Sequence, residues 1–99
     1  MKHINAIIRW NTATNGERIR NLPVGSVYFP VIFIPDRMVD GMWSVRFIIT
    51  EANSMNESNI VLTMLVDNLD SRAFSQKLNA GIHFLLFEGN VVVASGVVI

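Results

Sequence analysis

Apolar and polar residues alternate along this chain with period two far more often than with the 3.6 of a helix, which points to strands. Ile4, Ala6, Ile8 and Trp10 fall on one side of an extended segment and Asn5, Ile7 and Arg9 on the other, the pattern of a half-buried strand over 4–10. Asn11 to Gly16 then supplies turn chemistry, ending in Asn15-Gly16. Over 26–34 both faces are apolar: Val27, Phe29, Val31 and Phe33 oppose Tyr28, Pro30, Ile32 and Ile34. A strand covered on both sides is expected there, with Pro30 marking an edge or a bulge.

Beyond the polar turn Asp36 to Gly41, Trp43, Val45, Phe47 and Ile49 alternate with Ser44, Arg46, Ile48 and Thr50, predicting a strand over 43–50. A loop rich in Asn, Ser and Glu, from Glu51 to Asn59, leads into a strand over 60–66. Asp67 to Asn79 is the one segment with room for a helical turn. Its Leu69, Phe74 and Leu78 are irregularly spaced, so a loop with a short helix is expected. Two apolar runs, 81–87 and 91–98, meet at Glu88-Gly89-Asn90, where Gly and Asn tolerate positive φ, and read as a hairpin.

Six strands joined by turns in 99 residues make one all-β domain over 1–99, a barrel or a sandwich. Closure is favoured, because Val91-Val92-Val93 and Val97-Val98-Ile99 would otherwise present an apolar, uncharged edge open to aggregation. Half the residues (51%) are hydrophobic, too many for intrinsic disorder. The longest uncharged run, Asn21 to Pro35, is fifteen residues with all three prolines, too short and too broken for a membrane-spanning helix. No membrane role is expected.

Eight Lys and Arg balance eight Asp and Glu, so no net field draws the chain to nucleic acid. Without cysteine, disulfides, thiolate metal sites and cysteine nucleophiles are excluded. The first residues reach Arg9 before an apolar signal segment forms, so cytoplasmic residence is the expectation, and Asn56-Glu57-Ser58 is read as an accidental glycosylation match. His83 and His3 lie too far apart in sequence to suggest a metal pair, and no Gly-x-Ser-x-Gly elbow organises the serines. Trp10 and Trp43 end and begin inward-facing rows, which favours core packing. Met38 and Met42 flank Val39-Asp40-Gly41 and suit either core filling or an adaptable contact surface.

The last hairpin carries a resemblance. Gly81-Ile82-His83-Phe84-Leu85-Leu86-Phe87-Glu88-Gly89, continuing through Val93 to Gly96-Val97-Val98, resembles the closing strands of the C-terminal (third) domain of elongation factor Tu. Its pattern runs Gly, aliphatic, Arg, Phe, two apolar, Arg, Glu-Gly-Gly, Arg, Thr, Val, Gly, small, Gly-Val-Val, and fits without a gap. Upstream, Gly16 and Arg18 look like members of that domain's Glu-Gly-Gly-Arg turn, and Tyr28 and Pro30 of its Tyr-x-Pro-Gln-Phe. Val39 and Gly41 are similar to its Asp-Val-Thr-Gly, and Met55 and Asn59 to the ends of its Met-Pro-Gly-Asp-Asn turn.

The resemblance implies a closed six-stranded antiparallel barrel and no enzyme. In that family the GTPase chemistry belongs to another domain, and this chain has no G-x-x-x-x-G-K-[ST] loop, so neither nucleotide nor other cofactor is expected. The family's third domain binds the T stem of aminoacyl-tRNA, its own GTPase domain and elongation factor Ts. Glu88 and Gly89 match its Glu-Gly pair, which approaches the tRNA backbone and ribose; the alternative is a turn that simply needs glycine.

The other RNA-facing positions differ. The family's Gln after Tyr-x-Pro is Val31, its Thr before Gly is Asp40, its Arg before Glu-Gly is Phe87, and its following Arg-Thr is Val91-Val92. These changes remove the cations that dominate affinity for nucleic acid. Phe87, Val91 and Val92 are instead expected to form an apolar face for a protein partner or a second copy, unless the segment from Asp67 to Ala80 covers it. Tyr28 and Arg18 complete the candidate binding residues. Retained tRNA binding is the alternative function.

Overall fold

The computed structural model describes residues 3–11, 22–36, 41–53 and 56–99. Its strands are β1 (Ile4–Trp10), β2 (Val27–Tyr28), β3 (Val31–Phe33), β4 (Met42–Ala52), β5 (Glu57–Met64), β6 (His83–Glu88) and β7 (Val91–Val98), with one helix, α1 (Leu69–Gln76), between β5 and β6. The sheet runs β2-β4-β3-β6-β7-β1-β5, and pairing of β4 with β5 closes it into a six-stranded antiparallel barrel to which β2 is added. Alternation accounts for the interior: Ile4, Ala6, Ile8 and Trp10 of β1 meet Val45, Phe47 and Ile49 of β4 and Phe84 and Leu86 of β6, all buried.

The strand expected over 26–34 is two strands. Pro30 accepts a hydrogen bond from Val45 N (3.0 Å) but lacks the N–H that would return one, so the ladder breaks at Phe29-Pro30. Nor is this segment covered on both sides. Val27 is 40% and Phe29 60% exposed, because a single-layer barrel buries only its inner face. The strand expected over 60–66 is shifted, running from Glu57 to Met64. The turn of Asn11 to Gly16, Arg18, Met38, Val39, Asp40 and Met55 lie outside the described residues, apart from Asn11 itself.

Two bulges adjust the closure. Thr50 is the extra residue on β4, between the pairs Ile49–Ile60 and Glu51–Asn59. Val93 is the extra residue on β7, between Leu86–Ala94 and Phe87–Val92, so that Val93 and Ala94 are both buried and Val92 turns outward.

The segment Asp67 to Asn79 forms a two-turn helix. Asn68 Oδ1 accepts from Ser71 N (2.8 Å) while Asn68 N donates to Ser71 Oγ (2.9 Å), a reciprocal cap that satisfies two backbone donors. Leu69 is 80% exposed, but Phe74 and Leu78 are buried, and the Phe74 ring lies 5.9 Å from that of Trp43. By connectivity α1 sits at the barrel end where β4 and β6 begin, opposite the β6–β7 hairpin. Replacing Asn68 by alanine is expected to cost about 0.5–2 kcal/mol, read as faster hydrogen exchange of the α1 amides; unchanged exchange would show the cap to be idle.

Arg72 Nε donates to Asp67 Oδ1 (2.8 Å) just before this cap. That hydrogen bond, and then the Arg72 charge, hold the Asp67 carboxyl below the usual carboxylate range. A lowered folded-state pKa means the contribution is present at neutral pH and is lost as the pH falls through the lowered value. It is small, since both side chains are more than half exposed. An NMR titration should show Asp67 returning to ordinary behaviour in Arg72→Ala.

Candidate interaction surface

The outer face of the barrel is set by the same alternation that fills the core. With Ile32, Phe84 and Leu86 inward, Val31 and Phe33 of β3 and Leu85 and Phe87 of β6 must face outward. Strand register lines these residues up. One row across the sheet runs Met42, Phe33, Leu85, Ser95, Arg9, Glu57. A second runs Ser44, Val31, Phe87, Val92, and a third His83, Val97, Ile7, Asn59.

From Met42 to Ser95 and from Ser44 to Val92 these rows carry no formal charge. Phe33 and Phe87 meet edge to face, with centroids 6.3 Å apart and planes at 84°. Charge sits at the rim, where Arg9 Nη2 pairs with Glu57 Oε1 at 2.7 Å and His83 is exposed. Two shallow hollows mark the face. One of about 250 Å³ lies between Phe33, Met42, Phe87, Gly89 and Asn90. Another of about 460 Å³ lies over Ile7, Leu85, Ser95 and Val97, with Arg9, Glu57 and His83 around it.

The candidate residues separate into two groups. Phe87 and Val92 are half-buried neighbours within the second row, and Val91, 51% exposed, stands at its hairpin end. Tyr28, Glu88 and Gly89 meet at the rim of the barrel. The Tyr28 ring packs against Phe47 (5.5 Å) and Trp10 (6.1 Å), and its hydroxyl donates to Glu88 Oε2 at 2.6 Å. Glu88 is therefore already engaged within the chain. Gly89 holds φ +60° in the hairpin turn with open space where a Cβ would stand, so backbone conformation explains the glycine. Arg18 lies outside the described residues.

Phe33, Leu85 and Met42 belong to this face although no sequence motif marks them. The signal was present in their parity with Val31 and Phe87, but it becomes readable only when the partner strands are known. The helix leaves the face open: its buried residues Phe74 and Leu78 pack at the opposite end, beside Trp43. A third hollow, beside α1, is lined by Ser71, Ser75, Asp67 and Arg72. Ser71 is taken up by the helix cap, Ser75 Oγ donates to the Arg72 carbonyl, and Arg72 is paired with Asp67. Among the described residues no three His, Cys, Asp or Glu side chains gather as a metal site, and no helix is long and apolar enough to cross a membrane.

Against family models, curated proteins and solved structures the chain matches none. A barrel fold by itself carries no function, which resides in the surface it presents.

Proposed function

We propose that the chain is a non-catalytic binding module that docks a protein partner, or a second copy of itself, through the apolar outer face of β3, β6 and β7. The observation that carries this reading is the uncharged stretch of two adjacent rows, Met42 to Ser95 and Ser44 to Val92, centred on Phe33, Leu85, Phe87 and Val92. Charge depletion at the centre with polar groups at the rim is the composition of a protein interface. A neutral chain also lacks the field needed to hold a polyanion. The resemblance to the third domain of elongation factor Tu supports the same class, a barrel that binds, with its RNA-facing positions replaced by Phe87, Val91 and Val92. On this reading Glu88, bonded to Tyr28, braces the rim of the barrel.

The absence of cysteine makes the test direct. A single cysteine at Val91, carrying a photo-crosslinker, is expected to yield specific protein adducts that a cysteine at exposed Thr50 does not, and Phe87→Glu should reduce them at least several-fold with the circular dichroism unchanged. Equal adducts from both positions would defeat the proposal. So would tRNA binding that weakens steeply with salt, which would favour the RNA-binding alternative.

A further inference from the structure

Backbone hydrogen bonds tie all seven strands into one sheet but leave α1 outside it. Leu65 N donates to the Ser44 carbonyl (3.2 Å) and Gly81 N to the Val98 carbonyl (2.8 Å). Between these two anchors, among the described residues, no backbone hydrogen bond joins the segment from Val66 to Ala80 to a strand. Arg72, Lys77 and Leu78 donate to Asn68, Phe74 and Ser75, and Asn79 accepts from Ile82 in the turn before β6. Asp67 is bonded to Arg72 and Asn68 to Ser71, so the ion pair and the cap bind the segment to itself.

What seats the helix is one face. Ser71, Phe74, Ser75 and Leu78, at the i, i+3, i+4 and i+7 spacing, are its buried residues, and only Phe74 and Leu78 of them are apolar. Both serine hydroxyls are bonded to their own segment, Ser71 to Asn68 and Ser75 to the Arg72 carbonyl. The fit is loose as well. A hollow of about 360 Å³ lies where Ser71 and Ser75 approach Met64 and Val66, and one of about 220 Å³ lies among Trp43, Asp70, Ala73 and Lys77. Helical spacing puts these two sets of residues on opposite flanks of α1, so the helix is underpacked on both sides. Eight residues are too few to hold a helix without a packed face.

We infer that α1 is a lid: the segment from Val66 to Ala80 lifts as a unit from the end of the barrel, about Leu65 and Gly81, while the seven strands stay paired. Gly81, at φ +92° with open space where a Cβ would stand, supplies one hinge. Lifting uncovers Trp43 of β4 and Met64 of β5, the apolar margin of the barrel interior at the end opposite the β6–β7 hairpin. The device is separate from the proposed docking face of β3, β6 and β7 and stands whether or not a partner binds there.

The test is native-state hydrogen exchange on the full chain in rising urea below the unfolding transition. The amides of Arg72, Lys77 and Leu78 are expected to exchange through one shared opening, about tenfold or more faster than the slowest strand amides after correction for intrinsic rates. Their urea dependence should be above zero but well below that of global unfolding, because only the lid and its seat become exposed. Trp10→Phe, which loosens the hairpin end of the barrel, should speed the slowest strand amides about tenfold and leave those of α1 unchanged. If the α1 amides shared the strands' urea dependence, or were accelerated equally by Trp10→Phe, the helix would open only with the whole barrel and the inference would fall. Amides of α1 that exchanged one by one with no urea dependence would overturn it too, since they would show fraying within a seated helix.

Discussion

Trp10→Ala is expected to lower the stability of the barrel by about 3–5 kcal/mol, the usual cost of deleting a buried tryptophan. Trp10 is 1% exposed and closes the inward row of β1. Its ring supports both Tyr28 and Phe47 at 6.1 Å, and its Nε1 donates to Ser58 Oγ at 3.3 Å. Removal would open a cavity, loosen the ring that holds Tyr28 to Glu88, and orphan the hydroxyl of Ser58, which has no exposure to water. A domain of this size has only roughly 5–15 kcal/mol in hand. Urea unfolding followed by Trp43, the one remaining tryptophan, provides the measurement. With a slope of about 1 kcal/mol per molar urea, the midpoint should fall by roughly 3 M or more. A loss below about 1.5 kcal/mol would mean that the barrel end collapses around the gap. Trp10→Phe with Ser58→Ala should cost much less than Trp10→Ala, because no buried hydroxyl is then stranded.

The strands of this barrel were legible from alternation because each has one wet side. Ile4 to Trp10 and Trp43 to Thr50 show it plainly. Where alternation failed, a backbone irregularity or a missing layer was responsible. The doubly apolar run from Val27 to Ile34 suggests burial on both sides, but nothing among the described residues packs over Phe29, and the surplus apolar side chains became surface. Parity counted back from Ala94 puts Val92 inside; the bulge at Val93 reverses it and sets Val92 beside Phe87. The segment was expected as a loop with a short helix because Leu69 confuses the spacing. Leu69 is solvent-exposed, and the reciprocal bonds of Asn68 and Ser71 define the start instead. Tyr28 and Glu88, sixty residues apart, share no local pattern, and only closure of the barrel brings them together. The apolar face was partly legible for the same reason: Phe87, Val91 and Val92 are sequence neighbours across a hairpin, whereas Phe33 and Met42 join them through register.

Gly96→Ala is the second large effect expected, about 1–3 kcal/mol, and its cause is steric rather than conformational. Gly96 stands between Ile8 of β1 and Phe84 of β6 in the register, facing the interior. A Cβ there would lie 2.4 Å from Phe84 Cζ, 2.7 Å from Cε1 and 3.0 Å from Ile8 Cγ2. The Phe84 ring lies across the space that a side chain would need. Because Phe84 and Ile8 are themselves buried, neither can yield without displacing the core. Gly89 supplies the contrast, since it has open space around it and φ +60°, so Gly89→Ala costs backbone strain alone. A double-mutant cycle separates the two mechanisms. In a Phe84→Leu background the cost of Gly96→Ala should fall by at least half, while that of Gly89→Ala should stay the same. If Phe84→Leu gave no relief at Gly96, the ring would not be what excludes a side chain, and the packing of β1, β6 and β7 around it would need another explanation.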